Sequence, residues 1–185
     1  AQKEVVFVPA TEEPIVSVFS DVELTRSSVM MFARREALPK EIKNTVEAYS
    51  LDVVYNLATM MMNNRFEEIA QKADAPFLGG GMSEGGIGVC PTMDATSFSV
   101  VAHEGRLIDG FRAMYTEMER MRRHGFTAGE LERAKEELKM YAERQYTNRN
   151  DVRNDEYAQR YLDFYAQGTP MMDAETEWQL DQQMI

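Results

Sequence analysis

The sequence predicts an α+β fold of two layers, a mainly antiparallel sheet covered on one face by helices. Short apolar runs bounded by proline and glycine fill much of the first half, which is typical of strands. Apolar residues three and four positions apart dominate the second half, which indicates amphipathic helices. Because most strands precede most helices, this class is favoured over alternating α/β units. At 185 residues the chain is long enough to bury a core of its own.

Three candidate strands come first. Residues 4–8 form an apolar run ended by Pro9, and residues 15–19 form a second one introduced by Pro14. Residues 29–33 form a third, in which alternate side chains share one face. We therefore expect strands at all three places.

A long helix is predicted to begin at Pro39, because proline suits a first helical turn. One face of it carries Val46, Tyr49, Val53, Leu57 and Met60. After Pro76 the chain is rich in glycine and then alternates, with Phe98, Val100 and Ala102 on one side. This pattern predicts a hairpin or two adjacent strands, with a bulge at the glycines.

The second half is predicted to be helical. An apolar stripe runs from Leu107 to Met121 and ends at Gly125. Thr127 and Glu130 have the spacing of a capping box, worth about 1 kcal/mol, at the start of the next helix. Two further helices are expected. The first carries the aromatic residues of 157–165 and ends at Gly168, and the second follows a cap at Asp173.

Composition excludes several classes of function. A net charge of −11 would repel nucleic acid, so no nucleic-acid partner is expected. No apolar run reaches the 18 residues or so that a membrane-spanning helix needs. The single cysteine, Cys90, has no basic neighbour to activate it, so we expect an inert, packed thiol.

No metal site is predicted in this chain. A catalytic zinc needs three protein ligands, and the sequence holds only His103 and His124. Neither order of the zinc motif fits His103-Glu104, because Arg106 and Leu107 stand where the second histidine or the glutamate would be.

Catalytic and cofactor-binding residues are likewise predicted to be none. The glycines of 79–88 match no phosphate-binding loop, and Ser83 lacks the strand-to-helix setting of a nucleophile elbow. Paired carboxylates at 67–68 and 136–137 suit a solvated helix face. The aromatic residues of 157–165 fit either a peptide groove or burial against the sheet, and burial is favoured.

Three segments together resemble the insulinase/pitrilysin family of zinc metallopeptidases. Residues 61–69 read Met-Met-Asn-Asn-Arg-Phe-Glu-Glu-Ile, and residues 102–105 read Ala-His-Glu-Gly before the helix that holds Phe111. Residues 125–135 follow the pattern Gly-Phe-Thr-x-x-Glu-Leu-x-x-Ala-Lys. The order and spacing of these segments carry the resemblance, since each alone is also a well-capped helix.

The resemblance implies homologous α+β domains paired in two halves around a chamber, with the zinc motif in the first domain only. This chain lacks that motif, so it is similar to a non-catalytic domain. The second domain fits best, with the fourth as an alternative. Residues 1–14 would then lead in from a preceding domain, 15–170 would form the domain, and 171–185 would begin a segment cut at the chain end.

Partners implied by the resemblance are the catalytic and other domains of the same polypeptide, together with peptide substrates. Zinc would belong to the catalytic domain. Two other readings stay open, a peptide-binding scaffold that has lost catalysis and an independent enzyme using His103 and Glu104. The sequence does not fix the compartment, and the bacterial periplasm and the cytoplasm both fit such a parent.

Overall fold

The computed structural model describes residues 6–87 and 90–185. In that part of the chain the strands are β1 (Ser27–Glu36), β2 (Phe77–Ile87) and β3 (Cys90–Ala102). The helices are α1 (Lys40–Lys43), α2 (Val46–Ala70), α3 (Leu107–His124), α4 (Ala128–Thr147), α5 (Asn154–Gln167) and α6 (Ala174–Met184). None of the helices in these ranges is long and apolar enough to cross a membrane.

The chain divides into two compact units. Unit 1 comprises Ala1–Ala37 and Met62–Gly125, and unit 2 comprises Leu38–Met61 and Phe126–Ile185. Unit 1 therefore holds the sheet, the end of α2 and α3, while unit 2 holds helices only. The predicted boundaries after residues 14 and 170 stay predictions.

Unit 1 is built on an antiparallel sheet with the strand order β1-β3-β2. Phe98 in the central strand lies between Met31 of β1 and Met82 of β2. The register shifts at both ends of β2, where glycines stand, as the sequence predicted. The sheet and its helical cover confirm the predicted α+β class.

The core of unit 1 lies on one face of this sheet. Phe98 and Val100 of β3 are 2% and 1% exposed, and Phe66 of α2 is fully buried. The Phe66 ring meets the Phe77 ring edge to face, with centroids 5.9 Å apart. Gly80 leaves room for a core neighbour, because a Cβ there would lie 2.8 Å from a side-chain carbon of Val100. The predicted inward face of β3 is thus confirmed.

Unit 2 is a helical unit with a core of its own. Val53, Leu57 and Met61 of α2 form a buried cluster with Ala134 of α4. Helix α4 begins with the predicted capping box, in which the Thr127 side chain accepts from one backbone N–H and Glu130 accepts from another. These caps satisfy backbone donors that the first turn leaves free.

The strand predicted at residues 15–19 is wrong. This segment has no regular structure, and Ile15, Val16, Val18 and Phe19 are 73–89% exposed. A strand needs a neighbour for its backbone hydrogen bonds, and the described sheet offers none to this segment. In the first predicted strand, residues 4 and 5 lie outside the described residues, and residues 6–8 are irregular.

Two helical predictions also need correction. The helix that begins after Pro39 breaks at Asn44 after one turn, and α2 begins afresh at Val46. In α3 the apolar stripe is only partly buried, since Met114 is fully buried while Ile108 is 65% exposed. Gly110 is also buried, at a position where a Cβ would lie 3.4 Å from that of Ala102 in the sheet. Periodicity does not reveal the close approach at this glycine.

Asn63 holds the outer edge of β2. Its side-chain amide donates to the Met82 carbonyl at 3.2 Å, and its oxygen accepts from the Met82 N–H at 2.7 Å. An edge strand otherwise leaves such groups without partners in the sheet. One side chain therefore completes the pairing that a further strand would supply at this residue.

Replacing Asn63 with alanine should lower the free energy of unfolding by about 1–3 kcal/mol, because both hydrogen bonds are lost. Asn64→Ala is the matched control, since it makes the same change in helix propensity on the same turn and should stay within about 0.5 kcal/mol of the parent chain. Urea unfolding of the three proteins makes the measurement. Equal losses for both variants would show that Asn63 does not hold the edge.

Candidate functional site

The two histidines do not form a site. His103 follows the last residue of β3 and caps a turn, where its carbonyl accepts from the Arg106 N–H at 3.0 Å. His124 lies in the last turn of α3. No group of three His, Cys, Asp or Glu side chains in residues 6–87 and 90–185 is placed to hold a metal ion. The residues described do not fit a zinc site.

The other sequence candidates are placed in structural roles. Ser83 lies within β2 and not at a strand-to-helix turn, so the elbow is excluded. Glu67 and Glu68 are exposed on α2, as predicted for a solvated face. On the sheet, Arg35 pairs with Glu84 at 2.8 Å. This ion pair joins the two outer strands across the central strand β3, which suits stability better than catalysis.

An open cleft in unit 2 is the strongest candidate for binding. Its volume is about 600 Å³, and it is lined by α4, α5, α6 and the segments that join them. The aromatic residues that line it are Tyr141, Tyr146, Tyr157, Tyr161, Phe164 and Trp178. We call this the aromatic cleft. Its size and its mixture of rings with a few charged groups are typical of ligand pockets.

One wall of the aromatic cleft is a stack of two rings. Tyr146 and Trp178 lie 5.3 Å apart with an interplanar angle of 14°, and Arg149 lies 4.2 Å above the Tyr146 ring. Arg149 also donates to the Tyr146 carbonyl at 2.8 Å. The Tyr146 hydroxyl donates to Glu175, and this bond raises the pKa of Tyr146 and lowers the pKa of Glu175. The wall is therefore held in place before any ligand binds.

The face of α5 that carries Tyr157, Tyr161 and Phe164 also lines the cleft. Their spacing of four and three residues puts them on one side of the helix. They are 41%, 61% and 46% exposed, and α5 has no buried residue. The favoured prediction, burial of these rings against the sheet, is wrong. Tyr157, Tyr161 and Phe164 instead line the aromatic cleft.

Two charged groups that line this cleft, Glu177 and Arg160, make no hydrogen bond or ion pair within the described part of the chain. Partial removal from water raises the pKa of Glu177, although the charge of Arg160 opposes the shift. Asp181, which also lines the cleft, accepts from the Tyr49 hydroxyl at 2.7 Å. Burial, followed by this bond to Asp181, raises the pKa of Tyr49 above its usual range.

Only part of this site could be predicted from the sequence. The spacing on α5 identified three of its rings. Tyr146 and Trp178 lie on different helices, 32 positions apart in the sequence, and only tertiary packing brings their rings together. The one usable signal was the single tryptophan of the chain, set in a helix rich in acidic residues. No spacing rule connects such a residue to Arg149 or Tyr157.

Comparison with known proteins identifies the fold. No protein-family model and no curated protein matches the sequence. The periplasmic protease PqqL from Escherichia coli is similar in structure, with a TM-score of 0.76 and 18% identity over 88% of this chain and 18% of that one. The separately solved first half of PqqL gives a TM-score of 0.70 and 18% identity over 88% of this chain and 34% of that one.

A predicted insulinase family protease from Yersinia pestis is also similar, with a TM-score of 0.70 and 12% identity over 88% of this chain and 34% of that one. These likenesses confirm the expected insulinase-like fold. The chain spans about a fifth of full-length PqqL and about a third of the other two chains. Its fold therefore matches one part of each of these larger chains.

Replacing Glu177 with glutamine should raise the free energy of unfolding at pH 7, by less than about 1 kcal/mol, because an unpaired and partly desolvated charge is removed. The raised pKa means that the folded state binds the proton more tightly than the unfolded state. The difference should therefore be complete above the folded pKa and vanish below the unfolded value near 4.5.

Denaturant unfolding of Glu177→Gln across this pH range makes the measurement, with Glu132→Gln as the control. Glu132 is exposed on α4 and does not line the cleft, so its replacement removes the same charge elsewhere. A Glu177→Gln variant that is less stable than the parent chain at pH 7 would mean that the carboxylate has a favourable partner after all.

Proposed function

We propose that this chain is a non-catalytic domain of a zinc-dependent metallopeptidase. It packs against the catalytic domain of the same polypeptide and forms part of the wall of the substrate chamber. The observation that carries this proposal is the likeness to PqqL, which covers 88% of this chain but only 18% of the protease. A domain of a larger protein is the simplest account of a match with those two proportions.

Exposed apolar side chains support packing against another domain. In the irregular segment from residue 6 to residue 24, the residues concerned are Val6, Phe7, Val8, Ile15, Val16, Val18, Phe19, Val22 and Leu24, at 41–103% exposure. Met30 and Phe32 of β1 are also exposed, at 59% and 46%. Single exposed apolar residues are ordinary, but a continuous series favours a covered surface.

In this proposal the chain does not supply the catalytic zinc ligands. The zinc of the catalytic domain would activate the water that attacks the peptide bond, as metal ions do in such enzymes. The described residues of this chain hold no set of ligands for that ion. Their role would be to wall the substrate chamber and to bind peptides. The net charge of −11 would also attract basic peptides.

Purified chain should bind no stoichiometric zinc and cleave no peptide. The measurement is elemental analysis after dialysis, combined with cleavage of a quenched fluorescent peptide library with and without added zinc. His103→Ala and His124→Ala serve as controls, because neither change should alter either reading. One zinc per chain, lost in a histidine variant together with cleavage, would contradict the proposal and make the chain an enzyme by itself.

The coding sequence around this chain separates a peptidase domain from a scaffold domain. A His-x-x-Glu-His motif with a later glutamate upstream supports the peptidase. Its absence from the whole reading frame would overturn the zinc-dependent activity and leave a peptide-binding scaffold with the same fold, because a fold does not determine a function.

A further inference from the structure

We propose that the aromatic cleft binds an extended peptide by taking up the side chain of a lysine or arginine. The structure puts the unpartnered carboxylate of Glu177 in a cleft walled by rings. A cationic side chain satisfies both features, because it can pair with the carboxylate and lie against aromatic faces. Neither an apolar nor an acidic side chain would do both.

The rings are suitably placed for a long basic side chain. Tyr157, Tyr161 and Phe164 follow one another along α5, so they offer successive faces to an aliphatic stem and its charged end. Elsewhere in the lining, Tyr146 and Trp178 are stacked and Arg149 lies 4.2 Å above the Tyr146 ring, so this part of the cleft is fixed by the chain itself. Little ordering of the protein is needed on binding, which favours affinity.

The lack of a hydrogen bond distinguishes Glu177 from the other acidic groups of the cleft. Asp173 accepts from the Thr176 N–H at 2.8 Å as the cap of α6, and Asp181 accepts from Tyr49. Glu177 has no such bond, and Arg160 acts on it through space without forming an ion pair. A ligand cation would complete the pairing that the chain itself leaves open.

The proposal concerns binding and not cleavage, so it goes beyond the proposed function and does not depend on a zinc site. A basic peptide could be a substrate in the chamber or a segment of a partner protein, and the same cleft chemistry applies to both. Failure of peptide binding would leave the domain assignment intact, because that assignment depends on the fold.

Trp178 provides the readout, since it is the single tryptophan of the chain and lines the cleft. The probes are three capped octapeptides of alanine and glycine that differ at one central position, which holds arginine, norleucine or glutamate. We expect the arginine peptide to give a saturable change in tryptophan fluorescence and to bind about tenfold more tightly than the norleucine peptide. Added salt should weaken binding of the arginine peptide.

Glu177→Gln should weaken binding of the arginine peptide by about tenfold and leave the norleucine peptide unaffected. Tyr161→Ala should weaken both, because it removes a ring and not a charge. Glu132→Gln, the matched control, should bind as the parent chain does, and circular dichroism checks that all variants are folded. Equal binding of the arginine and norleucine peptides, preference for the glutamate peptide, or no binding at all would overturn the proposal.

Discussion

The packing of Phe66 of α2 against the sheet is the interaction on which unit 1 depends. This ring is fully buried, and its loss would cost roughly 3–5 kcal/mol, as the removal of buried aromatic rings does. Gly80 leaves room for the Val100 side chain of the same core, and Asn63, one turn before Phe66, holds the edge of β2 at Met82. The same helix supplies Leu57 to the core of unit 2. One long helix therefore contributes to both cores.

Local signals in the sequence predicted the elements that depend on local chemistry. The capping box at Thr127 and the alternation in β3 were confirmed, because a cap and a half-buried strand follow from neighbouring residues alone. The prediction of a strand at residues 15–19 failed because a strand also needs a neighbouring strand with which to form hydrogen bonds. In α3 the apolar stripe is buried only in part, since Met114 is fully buried while Ile108 is exposed and Gly110 lies close to Ala102 of the sheet.

The candidate site illustrates the limit of the same reasoning. Its rings come from α4, α5 and α6, so only tertiary packing brings them together, and Glu177 would have counted as one more surface acid. A shared fold does not by itself establish a shared function. Identity of 18% with PqqL is compatible with a shared architecture, while the set of metal ligands that catalysis needs is missing from the described residues. Specific side chains must therefore carry any functional claim.

We infer that this chain is a supporting domain whose exposed apolar segment is covered in the intact polypeptide. Hydrogen exchange can test this inference by comparing the isolated chain with the same residues in the full-length protein. We expect residues 6–24 to exchange freely in the isolated chain and to become protected in the full-length protein, while the amides around Phe66 are protected in both. Equal exchange of residues 6–24 in the two proteins would contradict it.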